Sequence, residues 1–160
     1  MNAPPMMVDI QRSMIGHGAV VLLIGMLAGV GLLASLLGGL EVWPGTVLPF
    51  QVPGSTDAWV RTHLGGLLNA FLIMLVALTL PVLGFHARRA RHLGWMLVGT
   101  GWANTLFYWA ALLSPNRALS FGDNRLGAST LSAIVGLAPA LTFTVVSIVA
   151  VLLLARQAFR

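Results

Sequence analysis

The sequence predicts an all-α polytopic membrane protein, a bundle of four transmembrane helices in one domain over residues 1–160. The first observation is composition: 58% of residues are hydrophobic and 8% are charged. A soluble domain averages about 45–50% apolar and about 25% charged residues. The second observation is the presence of four long apolar stretches, and the third is that proline, glycine and arginine gather between them. So little charge cannot cover a water-facing surface, and such an apolar composition also argues against disorder.

The four apolar stretches predict spans at about 13–40, 58–85, 93–113 and 129–155. Each reaches the ~20 residues that a helix needs to cross a hydrocarbon core of ~30 Å. Only Arg61, near the start of the second stretch, carries a full charge inside them. The first stretch is also much longer than the 7–15 apolar residues of a signal peptide, so we expect it to remain in the protein.

The connections between the spans predict the orientation. The loop over 41–55 contains three prolines and two glycines, which is typical of a structured, non-helical segment. Arginines lie mostly on the side that holds both termini and the second connection. These are Arg12, Arg88, Arg89, Arg91, Arg156 and Arg160, against Arg61, Arg117 and Arg125 on the other side. This asymmetry predicts a multi-pass protein of the cytoplasmic (inner) membrane with both termini in the cytoplasm.

Charge and cysteine content exclude several function classes. The net charge of +5 comes from nine basic residues, all arginine, against four acids, and the arginines flank apolar runs. We therefore expect membrane lipid rather than nucleic acid as the partner of this charge. The chain has no cysteine. Disulfides, thiolate metal sites, iron–sulfur clusters and cysteine nucleophiles are thus excluded together.

Glycine is frequent in the first span and predicts close helix packing. Gly25 and Gly29 form a GxxxG step, a spacing that lets two helix backbones approach closely. Generic packing explains this step without any further function. A chain this small also encloses little of a site by itself, which hints at an oligomer.

Four polar residues at membrane depth are the candidate site, because polar groups there are functional candidates by default. With a rise of ~1.5 Å per residue, His63 and Tyr108 each lie roughly 8–9 Å below the same membrane face. Asn69 and Asn104 lie roughly 15–18 Å below it. Asn104 and Tyr108 also share one face of the third helix by their spacing. We therefore expect the imidazole, the amides and the phenol in one layer.

Gly65 and Gly66 follow His63 closely, and we expect them to leave a flat surface for a planar ligand such as a porphyrin. Structural roles remain open for each polar residue. His63 suits a hydrogen-bonded structural histidine, Asn69 suits a bond across helices, and Tyr108 suits an aromatic belt at the membrane boundary.

A second histidine does not share the ligand position with His63. His17 lies near the opposite face of the membrane, more than ~10 Å away in depth across a ~30 Å core. One iron with bonds of ~2 Å cannot reach both imidazoles. A haem held by His63 would therefore keep an open face within one chain, and open faces do chemistry.

The chain resembles the membrane-bound styrene oxide isomerases of bacterial styrene degradation from about residue 14 to residue 158. The order and spacing of several segments carry the resemblance. These are Gly16–His17–Gly18, Gly38–Gly39–Leu40–Glu41, Val52–Pro53–Gly54–Ser55, Arg61–Thr62–His63 with Asn69, Gly101–Trp102–Ala103–Asn104 with Phe107–Tyr108, and Ser114–Pro115–Asn116–Arg117.

The resemblance implies a four-helix isomerase that assembles as a homotrimer, with haem b near the subunit interfaces. It implies a Meinwald rearrangement of an aryl epoxide, such as styrene oxide, to an arylacetaldehyde, phenylacetaldehyde in that case. His63 would be the axial ligand of the ferric iron, with Asn69 and Tyr108 on the substrate side as catalytic residues. Gly65, Gly66 and Asn104 would line the cofactor.

Other function classes remain possible from the residues alone. A haem protein for electron transfer or gas sensing would need a second axial ligand, and the difference in depth between His17 and His63 disfavours one. A small transporter of four helices typically relies on a carboxylate inside the membrane, and no predicted span here contains one. A structural membrane subunit without a site of its own is the remaining class. An absorption spectrum of the purified protein separates the haem proteins from the others.

Overall fold

The computed structural model describes residues 5–160, and it is an all-α bundle with one small hairpin. Four helices span Pro5–Leu37 (α1), Thr56–Thr79 (α2), Ala87–Leu112 (α3) and Leu131–Ala158 (α4). Two short strands, Gly39–Trp43 (β1) and Thr46–Pro49 (β2), pair antiparallel after α1. The predicted fold class is confirmed, and the loop after the first span is structured and non-helical as expected.

The helices do not form a symmetric square. Helices α1, α2 and α3 pack on one another, and α4 packs chiefly on α3. Because α1 begins where α2 and α4 end, one end of the bundle holds the start of α1, the link from α2 to α3 and the end of α4. We call this the arginine-rich end, since the six arginines of the predicted cytoplasmic side belong to it. The opposite end is the loop end.

The helix bounds differ from the predicted spans where glycine and proline intervene. Helix α1 already runs from residue 5 and stops at Leu37 rather than at residue 40. Gly38 follows with a positive φ of 67°, which ends the helix and starts the hairpin. Helix α2 begins after Ser55, whose side chain accepts a hydrogen bond from the Ala58 amide, and it ends at Thr79 rather than at residue 85. The turn after it contains Pro81 and Gly84, the latter at φ 64°.

Three of the four helices are long and apolar enough to cross a membrane by length and composition. They are the segments Met6–Leu37, Thr56–Thr79 and Leu131–Ala158. Helix α3 is of similar length, but Arg88, Arg89, Arg91 and His92 in its first turns, with glycine, threonine and asparagine further on, lower its mean hydropathy. It packs against all three other helices, which explains how a less apolar helix fits in the bundle.

Glycine contacts bring α1 and α2 together as the GxxxG step predicts. A Cβ placed on Gly25 would lie 3.1 Å from the backbone carbon of Gly66, and one on Gly66 would lie 2.7 Å from the Gly25 Cα. Both helices therefore approach backbone to backbone at this point. Gly29, one turn further, faces the imidazole of His63 at 2.9 Å from the position of its missing Cβ. This close approach positions the first residue of the candidate site.

Candidate active site

His63 is held against α1 by one hydrogen bond that fixes its tautomer. Its Nδ1 lies 2.8 Å from the carbonyl oxygen of Gly25. A carbonyl can only accept, so Nδ1 carries the proton and donates, and in the neutral ring Nε2 then keeps its lone pair. The side chain is half-buried, and among the described residues no buried side-chain nitrogen or oxygen lacks a partner. The unpaired Nε2 is therefore accessible from outside the chain.

His17 has the opposite tautomer. The indole Nε1 of Trp102 donates to His17 Nδ1 at 3.2 Å, so the proton of a neutral His17 lies on Nε2. The His17 ring also meets Trp95 and Trp102 edge to face. Gly25 lies eight residues beyond His17, about 12 Å along α1. His17 is thus an aromatic-cluster residue, remote from His63 and without a free nitrogen lone pair.

Asn69 and Asn104 meet between α2 and α3, at one level as expected. The Asn104 amide donates from Nδ2 to Asn69 Oδ1 at 2.9 Å, and Asn69 donates from Nδ2 to the Gly65 carbonyl at 2.7 Å. Gly101 allows this approach, because a Cβ there would lie 2.5 Å from Ile73. Asn69 is buried with both polar atoms engaged, whereas Asn104 is half-buried and its Oδ1 has no partner in residues 5–160. The accessible amide of the pair therefore belongs to Asn104.

Tyr108 lies over the next turn of α2 towards the loop end. Its ring covers Gly65: a Cβ on that glycine would lie 2.2 Å from the ring carbon Cε2. The Thr62 hydroxyl donates chiefly to the Ala58 carbonyl at 2.8 Å, and the Tyr108 backbone carbonyl lies 3.3 Å from the same oxygen, so α2 and α3 are close at this level. The Tyr108 hydroxyl itself has no hydrogen-bond partner in the described chain and is accessible by the same reasoning as His63 Nε2. It is a free phenol donor one turn from Asn104.

The expectation that Gly65 and Gly66 leave an open flat surface is wrong. Gly65 is covered by the Tyr108 ring and Gly66 by the backbone of Gly25. Both glycines are buried and serve packing between helices of the same chain. A planar ligand cannot lie directly on them in this bundle.

The polar residues share a layer but lie on two sides of α2. His63 contacts α1, whereas Gly65 and Asn69 contact α3. At about 100° per residue, His63 is separated from Asn69 by about 120° and from Gly65 by about 160° around the helix axis. The expected layer is therefore present in depth, but one chain does not bring the imidazole together with the phenol and the amides.

The donor set around His63 suits a porphyrin iron better than a bare metal ion. The described residues contain no cluster of three or more His, Asp or Glu side chains that could hold a metal ion. A porphyrin supplies four ligands itself and needs one imidazole with a free lone pair. Ligating histidines commonly donate their other ring N–H to a backbone carbonyl, as His63 does to Gly25. His63 therefore fits an axial haem ligand on geometric grounds.

A small cationic cleft opens beside Tyr108 at the loop end. Arg61 and Arg117 line it with Tyr108, around a volume of about 70 Å³. Arg117 and Ala118 both have positive φ, 58° and 52°, a conformation that costs non-glycine residues roughly 1–2 kcal/mol each. Asn116, which is fully buried, holds this loop by accepting from the Ala118 amide and donating to two loop carbonyls. The loop is thus built to place a cation near the phenol.

Fold and site together define a helical membrane protein with one histidine whose Nε2 is accessible and, separately, an accessible amide and phenol. Comparison with known families specifies the class. Residues 10–159 match the styrene oxide isomerase family, so the chain belongs to that family and is an isomerase. It is 41% identical over 150 residues to a styrene-oxide isomerase from Pseudomonas fluorescens, covering 94% of this chain and 89% of that relative.

Sequence reasoning missed the groups that position the site. The acceptor for His63 is a backbone carbonyl, and no residue type signals that role; the GxxxG step at Gly25 and Gly29 indicated close packing but not its partner helix. The position of Arg117 beside Tyr108 depends on an unusual loop conformation. Its only sequence signal is Asn116, a residue type that readily organises turns through its side chain.

Proposed function

We propose that this protein converts an aryl epoxide of the styrene oxide type to the arylacetaldehyde, with a ferric haem b held by His63. Membership of the family and the name of its 41% identical relative support the reaction class and the substrate. The observation that carries the haem assignment is the hydrogen bond from His63 Nδ1 to the Gly25 carbonyl. In the neutral ring this bond leaves the Nε2 lone pair accessible, as a histidine that would hold the iron requires.

The reaction is an internal rearrangement, so its atoms and electrons balance without a co-reactant. The benzylic C–O bond breaks and its electron pair stays on oxygen. A hydride then moves from the terminal carbon to the benzylic carbon, and the carbonyl double bond forms at the terminal carbon. Nothing is oxidised or reduced overall, and no water enters. The protein must therefore stabilise negative charge on oxygen and exclude nucleophiles.

The residues on the α3 side of α2 supply the polar groups. When bound, a ferric haem supplies a Lewis acid towards the epoxide oxygen. The free hydroxyl of Tyr108 donates a hydrogen bond to that oxygen as negative charge develops on it. Asn104 adds an accessible amide, and Asn69 holds it in place through the 2.9 Å hydrogen bond. Asn69 thus acts on the reaction by positioning the Asn104 amide.

Water exclusion follows from where these groups lie. The benzylic cation would be captured by water to give a diol, so the site must stay dry. His63, Asn69, Asn104 and Tyr108 all belong to α2 and α3, and between His63 and Asn69 the exposed residues of α2 are apolar, with Leu64 50% and Leu68 68% exposed. An apolar epoxide reaches such a surface from the bilayer itself.

A homotrimer explains how the two sides of α2 serve one reaction. His63 on the α1 side and Tyr108 with Asn104 on the α3 side face away from each other, so they converge on one ligand only between two copies. Such a contact joins two different patches, and heterologous contacts form a ring when the rotation between successive copies closes. A ring of three places each ligand between the His63 of one copy and the Tyr108 of the next. The cytoplasm would adjoin the arginine-rich end of each copy.

The experiment that tests this proposal uses purified protein in detergent. We expect a Soret absorption band and conversion of styrene oxide to phenylacetaldehyde, both lost in His63→Ala. The matched control is His17→Ala, which should keep both, because His17 is engaged by Trp102. Full haem occupancy in His63→Ala, or loss of haem in His17→Ala alone, would contradict the assignment.

A further inference from the structure

A cleft separate from the candidate active site lies between α3 and α4 at the arginine-rich end. Its volume is about 430 Å³. Gln157 donates from Nε2 to the Leu83 carbonyl at 3.0 Å, which ties the last turns of α4 to the link between α2 and α3. This contact fixes the end of α4 beside the first turns of α3. The cleft is therefore a defined feature of the bundle end.

The mouth of the cleft is strongly cationic. Arg89 and His92 line it from α3, and Arg156 and Arg160 line it from the end of α4. Among residues 5–160 no aspartate or glutamate side chain lines it, and guanidinium groups cannot lose their charge in proteins. Three like charges directed to one cleft repel one another unless an anion is present. Their arrangement therefore selects for a negatively charged ligand.

The inner part of the cleft is apolar and continues along the helices. Met96 follows His92 by four residues on α3, and Leu153 precedes Arg156 by three residues on α4, so each shares a helix face with the cationic residues. From Leu153 to Arg160 the groove extends about 10 Å along the helix. Leu153 is 44% exposed, which leaves room for an acyl chain beside it. The polarity thus changes from cationic to apolar in the direction of the membrane interior.

We propose that this cleft binds the headgroup of an anionic phospholipid, with the phosphate among Arg89, Arg156 and Arg160 and one acyl chain along Met96 and Leu153. Basic pockets between transmembrane helices at a membrane surface have the chemistry that anionic headgroups require. Free phosphate shares the phosphate contacts but leaves the apolar groove unused. The bound lipid would join α3 to α4 at the arginine-rich end.

Native mass spectrometry of the purified protein tests the proposal with two lipids that differ in headgroup charge, phosphatidylglycerol and phosphatidylcholine. We expect the parent to retain phosphatidylglycerol at least ~10-fold over phosphatidylcholine, and the variant R89Q/R156Q/R160Q to show a preference within about twofold. The control R12Q/R88Q/R91Q removes the same charge from the same end but outside the cleft, and it should keep the preference of the parent.

Three results would overturn the proposal. These are equal retention of both lipids by the parent, equal loss of preference in the two triple variants, and complete displacement of the lipid by inorganic phosphate. The second would show attraction by net charge alone, and the third an anion site that needs no acyl chain. If R89Q/R156Q/R160Q does not fold, the comparison of Arg156→Gln with Arg88→Gln replaces it. A lipid site in the cleft predicts that only Arg156→Gln weakens the preference for phosphatidylglycerol.

Discussion

Substitution of Gly66 by alanine tests the helix contact that positions His63. The new Cβ would lie 2.7 Å from the Gly25 Cα, whereas carbon atoms in contact prefer about 3.5–4.0 Å. Both partners are backbone, so α1 and α2 must separate by about 1 Å. The 2.8 Å hydrogen bond between His63 and the Gly25 carbonyl would then exceed the ordinary limit of about 3.2 Å.

The extra methyl group of Gly66→Ala overpacks the contact between α1 and α2, and overpacking typically lowers the free energy of unfolding by about 1–3 kcal/mol. Gly16→Ala is the matched control, because a Cβ at Gly16 meets nothing within 4 Å. Both substitutions change the intrinsic helix propensity equally, so the difference between them isolates the contact. We expect Gly66→Ala to have a free energy of unfolding about 1–3 kcal/mol below that of Gly16→Ala. Its haem content should also fall.

Unfolding in mixed micelles of dodecyl sulfate and a mild detergent, followed by far-ultraviolet circular dichroism, measures this difference, and the Soret band gives the haem content. If the two variants unfold within about 0.5 kcal/mol of each other, the range of ordinary surface substitutions, the close packing of α1 on α2 is not as described. If Gly66→Ala is destabilised but keeps full haem content, the contact stabilises the bundle without positioning His63.

Three further predictions follow from the site. Tyr108→Phe should keep haem but slow aldehyde formation per haem by ~10²-fold or more, the scale for losing one donor to a developing oxyanion, and a rate within twofold of the parent would exclude the catalytic role. Asn69→Ala should lower the free energy of unfolding by about 0.5–2 kcal/mol and also slow the reaction, because Asn104 loses its partner; an unchanged rate would show that the amide pair is structural. A C-terminal reporter should be active in the cytoplasm, and activity only in the periplasm would reverse the proposed orientation.

The fold could be predicted from the sequence because hydropathy and length determine which segments can cross a membrane. The helix ends were harder to predict from the sequence, because they depend on local backbone geometry. Gly38 ends α1 through a positive φ, and the turn after Thr79 ends α2 although apolar residues continue to Phe85. Hydropathy reports that residues are apolar and does not report whether the backbone continues as a helix.

The sequence predicted how deep each site residue lies in the membrane, but not which way each residue faces around its helix. The rise per residue correctly placed Asn69 level with Asn104, which the hydrogen bond between them confirms. The rotation about α2 separates His63 from Asn69, and the six-residue spacing already contained this information. Which helix covers each face of α2 could not be read, because glycine contacts such as Gly25 with Gly66 leave no partner-specific pattern. For the same reason the flat surface expected at Gly65 is filled by Tyr108.

A complementation experiment with two inactive variants tests most directly whether His63 and Tyr108 of different copies form one haem-dependent site. His63→Ala and Tyr108→Phe are produced together and purified as mixed oligomers. In a ring of heterologous contacts, about one quarter of the interfaces then combine an intact His63 with an intact Tyr108 from the next copy. We predict aldehyde formation near one quarter of the parent rate, far above that of either variant alone. Activity no higher than that of Tyr108→Phe by itself, in oligomers shown to contain both chains, would contradict the shared site.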